Sequence, residues 1–106
     1  MENAIMNHER EVIGCLQSVL LRYSDRFQEL KLVPKIDELR RSNVGSSNYF
    51  SEIAVYFKDD TNDLIDIIEF FIYRDGKRVS SIQETETWLE EVIHDVQQRR
   101  RKAMER

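Results

Sequence analysis

Two apolar runs and the Asp-Gly pair that follows them limit what this chain can fold into. Residues 49–57 and 64–73 are rich in Val, Ile, Phe and Tyr, which suit a pleated, half-buried surface. Asp75-Gly76 predicts a two-residue hairpin loop, because a type I′ turn needs a positive φ at both central positions. The sequence therefore predicts a three-stranded antiparallel β-meander within residues 49–82.

The second apolar run also allows a helical interpretation. Several of its apolar residues fit helical spacing behind Asp63, a candidate N-cap; they are Leu64, Ile67, Ile68, Phe71 and Ile72. The β-branched and aromatic side chains of the run, and the hairpin turn after it, favour the strand.

The strand register follows from the two loops. The Asp-Gly loop places Arg74 opposite Lys77, and a four-residue loop at residues 59–62 places Glu52 opposite Glu69. Because side chains alternate between the faces of a strand, the sheet has a core face beneath the helices and a second face. The core face is predicted to carry Ile53, Val55, Phe57, Leu64, Ile68, Phe70, Ile72 and Val79, with Asp66 as the exception.

The second face is also apolar, and it combines aromatic side chains with two carboxylates. It carries Phe50, Ala54, Tyr56, Ile65, Ile67, Phe71 and Tyr73, with Glu52 and Glu69 side by side. Like charges directly opposite each other repel, and in an apolar setting one carboxylate is pushed toward protonation. Three explanations stay open: a different register, cover by a helix or a second copy, or a docking site for a basic partner. A catalytic carboxylate pair is a fourth, and it requires a concavity that a flat sheet lacks.

The N-terminal segment is predicted to be an amphipathic helix or a pair of helices. From Val12 onward its apolar residues recur at steps of three and four, which is the spacing of one helix face. Ser24-Asp25 can cap a second helix, so the segment either breaks there or continues. Gly14 lies inside the helix at a cost of about 1 kcal/mol relative to Ala, and it either allows close approach to the sheet or has no role. Cys15 lies among apolar residues and is expected to be a buried thiol.

Pro34 ends whatever element precedes it, because the residue before a proline is pushed out of helical geometry. Proline also suits the first position of a helix, so residues 34–41 are a candidate short helix. The composition of residues 42–48 then predicts a loop.

The last segment is the clearest helix. Ser81 and Glu84 resemble a capping box, and Thr85 is a second candidate cap. Its apolar stripe consists of Trp88, Leu89, Val92, Ile93 and Val96. The basic residues at its end suit the negative end of the helix dipole.

The net charge of −4 is unevenly distributed along the chain. Residues 1–48 hold seven acidic and seven basic residues, whereas residues 49–95 hold twelve acidic and four basic ones, a net charge of −8. The chain is expected to be a single domain, residues 1–106, with residues 97–106 as a basic helical extension or tail. An acidic body repels nucleic acid, while a basic tail attracts it. The candidate anion contacts in that tail are Arg99, Arg100, Arg101 and Lys102.

The sequence contains no motif for catalysis, cofactor binding or metal binding. His8, His94 and Cys15 do not have the spacing of a zinc site, and the acidic loop at residues 59–63 lacks the glycine and the distal glutamate of a calcium loop. Glycine-rich phosphate loops and nucleophile elbows are also missing. We therefore expect no enzyme, no cofactor, no metal and no small-molecule ligand. A single cysteine, no secretory signal and no long apolar run predict a cytoplasmic protein with no disulfide and no membrane anchor.

Together these features predict a small acidic protein-binding module of the α+β class. Its fold is an N-terminal helix or helix pair, a three-stranded antiparallel β-meander and a C-terminal helix. The partner is either a second copy, which gives a homodimer, or a basic protein that the module inhibits in the manner of an immunity protein. Partner binding is expected on the second face, at Phe50, Glu52, Tyr56, Ile67, Glu69, Phe71 and Tyr73. The alternative is a nucleic-acid-associated regulator that uses the basic C-terminal tail.

Overall fold

The structure is a computed structural model, and it describes residues 2–79 and 84–104. Its elements are the helices α1 (Glu2–Arg22), α2 (Ser24–Glu29) and α3 (Thr85–Met104), and the strands β1 (Val33–Ile36), β2 (Arg40–Ser42), β3 (Phe50–Lys58), β4 (Leu64–Arg74) and β5 (Lys77–Arg78). The α+β class is confirmed, with helices at both ends of the chain and an antiparallel sheet between them. The described sheet has five strands rather than the predicted three.

The two additional strands lie where a short helix and a loop were expected. β1 and β2 both pair antiparallel with β3, β1 along its second half and β2 along its first. The expected helix at residues 34–41 is therefore wrong. Burial alternates along β1, with Pro34 and Ile36 half-buried and Val33 and Lys35 exposed, which is the period of a strand. Pro34 has no amide hydrogen to donate, and β1 lies at the edge of the sheet, where this is tolerated.

The β4–β5 hairpin forms as predicted. Arg74 pairs with Lys77, and the two residues between them, Asp75 and Gly76, have φ angles of 51° and 73°. Both angles lie in the left-handed region that a type I′ turn requires. β4 is extended over its eleven residues, so the helical interpretation of this segment is wrong.

The β3–β4 register differs from the predicted one by two residues. Glu52 lies opposite Phe71 rather than Glu69, so the two glutamates do not face each other. The connecting loop has five residues rather than four, because Lys58 pairs with Leu64, and an irregularity next to this pair shifts the register once more. Two shifts of one residue leave the alternation of side chains unchanged, so the central residues of both strands keep their predicted faces.

The three helices pack on one face of the sheet, and the core lies between the helices and that face. Phe27 of α2 contacts Phe57 of β3, with the ring centroids 5.4 Å apart. Trp88 of α3 contacts Phe70 of β4 at the same centroid distance of 5.4 Å. Five residues of the predicted core face are buried: Ile53, Val55, Phe57, Phe70 and Ile72.

The predicted core face is less well covered toward the start of β4. Leu64 is exposed, and Ile68 is half-buried. Asp66, the polar exception on this face, is also half-buried, and its Oδ1 accepts a hydrogen bond of 2.8 Å from the backbone amide of Ile67. The carboxylate is therefore satisfied at the end of the sheet and does not interrupt the core.

The N-terminal helical segment breaks at Tyr23, and α2 begins at Ser24 with no side-chain cap. A Cβ atom added at Gly14 would meet nothing within 4 Å, so this glycine is not needed for close packing. Cys15 is exposed, and the expectation of a buried thiol is wrong. Cys15 precedes the buried Leu16 by one position, and a helix turns by about 100° per residue, which takes the thiol off the buried stripe.

α3 buries the apolar stripe predicted for it. Leu89, Val92, Ile93 and Val96 are buried, and Trp88 is half-buried. Ser81 of the expected capping box lies outside the described residues. Thr85 is the first residue of the helix, and its buried hydroxyl has no hydrogen-bond partner among the described residues.

Among residues 2–79 and 84–104, no helix combines the length and the apolar character that crossing a membrane requires.

Candidate protein-binding surface

The second face of the sheet, opposite the helices, is partly exposed. Phe50 and Phe71 pack edge to face across β3 and β4, with ring centroids 5.9 Å apart, and the Arg74 guanidinium lies 5.4 Å from the centroid of the Phe71 ring. Both aromatic side chains and Tyr56 are half-buried, and Ile67 is exposed. The structure therefore brings these four predicted partner-binding residues onto one surface.

Arg40 of β2 lies beside two carboxylates on this face of the sheet. Its guanidinium lies 3.7 Å from a carboxylate oxygen of Glu52 and 3.7 Å from one of Asp37. The Tyr56 hydroxyl donates a hydrogen bond of 3.0 Å to Oδ2 of Asp37. The backbone of Glu38 and then the Tyr56 hydroxyl hold the pKa of Asp37 below its ordinary value. The charge of Glu52 is thus partly neutralised within the chain, which leaves less of it for a partner.

Tyr73 does not lie on this surface. It is 4% exposed, and its ring packs edge-on against His8 of α1, with centroids 5.4 Å apart. Glu52 pairs with Phe71 and Ser51 with Tyr73, so β4 carries one more residue than β3 between these pairs. Such a β-bulge reverses the alternation of side chains. The expectation that Tyr73 lies on the second face is therefore wrong.

β4 has a free edge beside α3. β5 and the residue after it pair with residues 72–74 of β4, and no second strand among residues 2–79 and 84–104 pairs with residues 64–70 of β4. A groove of about 370 Å³ lies between this edge and α3. It is lined by Asp66, Ile67, Ile68, Glu69, Trp88, Glu91, Val92 and Asp95.

One set of α3 carboxylates is neutralised by the other helices. Glu86 lies 2.8 Å from a guanidinium nitrogen of Arg22 in α1, and Glu90 forms an ion pair with Arg26 of α2. The two glutamates are four residues apart and therefore share one side of the helix. These ion pairs fasten the start of α3 to the N-terminal helices.

A second set of carboxylates faces the groove and has no such partners. Glu91 and Asp95 of α3 line it together with Asp66 and Glu69 of β4. None of these four forms an ion pair with another residue in the described ranges 2–79 and 84–104. The groove therefore carries unneutralised negative charge around the half-buried Trp88.

The sequence predicts part of this groove and misses the rest. Ile67 and Glu69 belong to the predicted partner-binding surface, whereas Trp88, Glu91 and Asp95 are predicted only as parts of a helix. The four-residue spacing of Glu91 and Asp95, three and seven residues after the tryptophan, is a sequence signal for a shared helix side. The packing of α3 decides that the helix side with Glu91 and Asp95 faces the edge of β4, and the sequence does not predict this packing.

The basic end of α3 lies beside the β3–β4 loop. Arg99 donates a hydrogen bond of 3.3 Å to the carbonyl oxygen of Ile65. The pKa of Asp59 in the loop is held below its ordinary value, chiefly by the hydrogen bond from the Thr61 side chain and with a contribution from the charge of Arg100. The other candidate anion contacts are exposed at the helix end; they are Arg101 and Lys102.

A buried polar cluster that the sequence did not indicate joins α1 to β2 and β3. Glu9 is 1% exposed, and its Oε1 accepts hydrogen bonds from Nε of Arg41 at 3.1 Å and from Nη2 at 2.9 Å. Its Oε2 accepts a hydrogen bond of 2.7 Å from the Tyr49 hydroxyl. Burial raises the pKa of Glu9, but its interactions with Tyr49, Ser51 and Arg41 outweigh burial, and the pKa lies below the ordinary value of 4.5. The cluster therefore holds an ionised carboxylate at neutral pH.

Within the described residues, no group of three or more His, Cys, Asp and Glu side chains is placed to hold a metal ion. Comparison of the chain with protein-family models, with curated proteins and with solved structures found no match. A function for this chain must therefore rest on its own geometry.

Proposed function

We propose that this chain is a protein-binding module that accepts an extended basic segment of a partner protein along the free edge of β4, in the acidic groove beside α3. The observation that carries the proposal is the contrast between the two sets of α3 carboxylates. Glu86 and Glu90 are paired with arginines, whereas Glu91 and Asp95 in the groove are not paired within the described residues.

The edge of β4 supports binding through the backbone. An unpaired strand edge presents amide and carbonyl groups to which an extended peptide can add as a further strand. Two of these groups in β4 have side-chain partners that an added strand must replace: the Ile67 amide donates to Asp66, and the Ile65 carbonyl accepts from Arg99. Alternate side chains of the added strand point to opposite faces of the sheet. One set meets the second face near Ile67 and Phe71, and the other set meets the groove near Asp66 and Trp88. A partner segment that alternates basic and apolar residues matches both environments.

The charge of the surface supports a basic partner. The acidic region at residues 49–95 has a net charge of −8, which raises the rate at which a basic segment encounters it. Each exposed ion pair contributes only about 0.2–1 kcal/mol, so selectivity requires several of them together. The four groove carboxylates provide that number. The proposal does not use the basic tail, in which the side chain of Arg99 contacts the chain itself.

The first test uses the single tryptophan of the chain, Trp88, as a reporter. The probe is an acetylated and amidated peptide of alternating lysine and valine, titrated while the emission of Trp88 is recorded. Saturable binding is expected, together with slower hydrogen exchange of the β4 amides. A peptide in which glutamate replaces lysine should not bind, because it meets like charges in the groove.

Matched variants separate the groove from general acidity. The double variant Glu91→Gln/Asp95→Asn should weaken binding of the lysine peptide by about fivefold to tenfold, since it removes two ion pairs. The double variant Glu86→Gln/Glu90→Gln makes the same change of net charge on the other side of α3 and should keep the affinity within about twofold. Equal losses in the two variants would show unspecific charge attraction and overturn the proposal.

A second probe tests strand addition itself. Two peptides are methylated at alternate backbone nitrogens, one at its lysines and the other at its valines, which preserves their charges; an added strand turns only one of these two sets of amide hydrogens toward β4. One of the two peptides should bind at least about tenfold more weakly than the parent peptide, because several hydrogen bonds are lost. Binding of both methylated peptides equal to that of the parent would exclude pairing along β4.

A further inference from the structure

A second concavity lies between the start of α1 and the loop before β3. It has a volume of about 600 Å³, within the range of about 300–1,000 Å³ that is typical of small-molecule sites. Its lining consists of Ile5, Met6, Arg41, Val44, Gly45, Ser46 and Tyr49. Three of these side chains are aliphatic, and two of them, Met6 and Val44, are exposed to solvent. Binding of an apolar molecule against these exposed aliphatic side chains is favourable, because it removes apolar surface from water.

The polar end of this cavity is held rigidly by the buried cluster. Arg41 uses Nε and Nη2 to bind Oε1 of Glu9, and no described residue accepts a hydrogen bond from its third nitrogen, Nη1. These two bonds fix the orientation of the planar guanidinium, and the N–H groups of Nη1 are left to bind a ligand. Tyr49 is likewise fixed, because its hydroxyl donates to Oε2 of Glu9. An apolar pocket with one oriented donor is the arrangement that positions a small ligand.

The charge of the cluster limits what that ligand can be. Glu9 is ionised and already bound to the guanidinium, so the pair carries no net charge. A ligand carboxylate would compete with Glu9 for Arg41 and would lie close to the Glu9 charge. An uncharged carbonyl oxygen accepts the hydrogen bond from Nη1 without that repulsion. A ligand ammonium group at the same end of the cavity would face the positive charge of the guanidinium.

From these contacts we infer that the cavity between α1 and the β2–β3 loop binds a small, uncharged molecule with an apolar body and a carbonyl oxygen at one end. The apolar body packs against Ile5, Met6 and Val44, and the carbonyl oxygen accepts the free hydrogen of Arg41. The sequence predicts no small-molecule ligand, because the cavity is assembled from segments more than thirty residues apart. This inference does not depend on the acidic groove.

The test uses the methionine methyl groups as reporters. The chain has three methionines, and carbon-13 labelling of their methyl groups gives separate signals for Met6 in the cavity and Met104, which is 86% exposed at the end of α3. Hexanamide, hexanoate and hexylammonium are titrated as probes of equal chain length. Hexanamide should shift the Met6 signal saturably and leave Met104 unchanged, hexanoate should bind at least about fivefold more weakly, and hexylammonium should not bind.

Two variants connect the binding to the residues named. Val44→Ser removes an exposed apolar side chain from the cavity lining and leaves the core unchanged. It should weaken the binding of hexanamide by about threefold or more, as expected for the loss of one or two buried methyl groups. Arg41→Lys keeps the charge but loses the planar fork, and it should abolish the preference for the amide over the acid. Circular dichroism establishes that each variant is folded. Should Arg41→Lys fail to fold, the comparison of the three probes and Val44→Ser still decide the question.

Three outcomes would overturn the inference. The first is the absence of a Met6 shift with millimolar hexanamide. The second is an equal response of Met104, and the third is equal binding of hexylammonium. Glu91→Gln/Asp95→Asn should leave the hexanamide titration unchanged, which keeps failure of this site distinguishable from failure of the peptide groove.

Discussion

The hydroxyl of Tyr49 donates a hydrogen bond of 2.7 Å to Oε2 of Glu9, forty residues away in the chain. This contact links the segment before β3 to α1, and Tyr49 also lines the small cavity. Arg41 of β2 binds the other oxygen of the same carboxylate, so a single side chain of α1 anchors two separate parts of the sheet. A buried carboxylate with three donated hydrogen bonds is a structural anchor whose removal leaves its partners unsatisfied.

Glu9→Gln should therefore destabilise the fold. Removal of the charge leaves Arg41 without its counter-ion, and a loss of about 2–3 kcal/mol in the free energy of unfolding is expected at neutral pH. Urea denaturation followed by circular dichroism measures this loss. Glu11→Gln, at an exposed position of the same helix, is the matched control and should stay within about 0.5 kcal/mol of the unchanged protein. Similar stabilities of the two variants would contradict the role of the cluster.

The stabilisation by Glu9 should depend on pH. The pKa of Glu9 is lower in the folded chain than its ordinary value of 4.5, so the unfolded chain takes up the proton more readily. Stability from this group is complete above that ordinary pKa and is lost as the pH falls through the lower folded value. The difference in unfolding free energy between the unchanged protein and Glu9→Gln should shrink as the pH falls below the ordinary value of 4.5. A difference that grows with acidity would contradict the assigned direction of the pKa.

Substitution by alanine should change the stability of the fold in opposite directions at Gly14 and Gly76. Gly14→Ala should stabilise the fold by about 0.5–1 kcal/mol, because the new Cβ meets nothing within 4 Å and the helix loses a flexible residue. Gly76→Ala should destabilise it by about 1–2 kcal/mol, since φ is +73° and the Cβ would lie 2.9 Å from the carbonyl oxygen of Ser47. Thermal unfolding of both variants measures the effects. Equal melting temperatures would contradict the prediction.

Leu89→Ala should show how far the stability depends on α3. Leu89 is fully buried at 0% exposure between α3 and the sheet, and its truncation should cost about 3 kcal/mol in the free energy of unfolding. Leu21→Ala removes the same atoms at a position that is 73% exposed and should change stability by less than about 0.5 kcal/mol. Chemical denaturation of both variants makes the comparison, and a small effect at Leu89 would mean that α3 is not essential to the core.

The charge of the β4 edge should govern self-association. Two copies that paired through this edge would bring Asp66 and Glu69 of each copy together, and like charges across paired strands repel. We expect the isolated chain to be monomeric at low salt, and Asp66→Asn/Glu69→Gln to promote dimers at the same concentration. Sedimentation velocity distinguishes the two states. A low-salt dimer that these substitutions leave unchanged would instead favour self-association through Phe50 and Phe71 on the second face.

Local sequence patterns were sufficient to predict those parts of the fold that depend on residues close together in the chain. The Asp75-Gly76 turn and the register beside it follow from the φ angles that the turn requires. The stripe of α3 follows from its helical periodicity. β1 was missed because Pro34 suits both a helix start and an edge strand, and a four-residue strand has no periodicity long enough to decide between them.

The candidate sites depended on tertiary structure to a greater degree. The sequence predicted Ile67 and Glu69 as partner-binding residues, but the register and the bulge of β4 decided that the two glutamates are separated and that Tyr73 faces α1. Packing of α3 against the β4 edge brought Glu91 and Asp95 beside them. The pairing of Glu9 with Arg41 joins residues that no local spacing relates.

By itself, the amino-acid sequence determined the α+β class, the second hairpin, the amphipathic helices and the uneven distribution of charge. Each of these depends on propensities and spacings within a few residues of the chain. The tertiary structure alone decided which carboxylates are neutralised and where the two concavities lie. The physical reason is that an ion pair, a free strand edge or a cavity depends on distances between segments that are far apart in the chain.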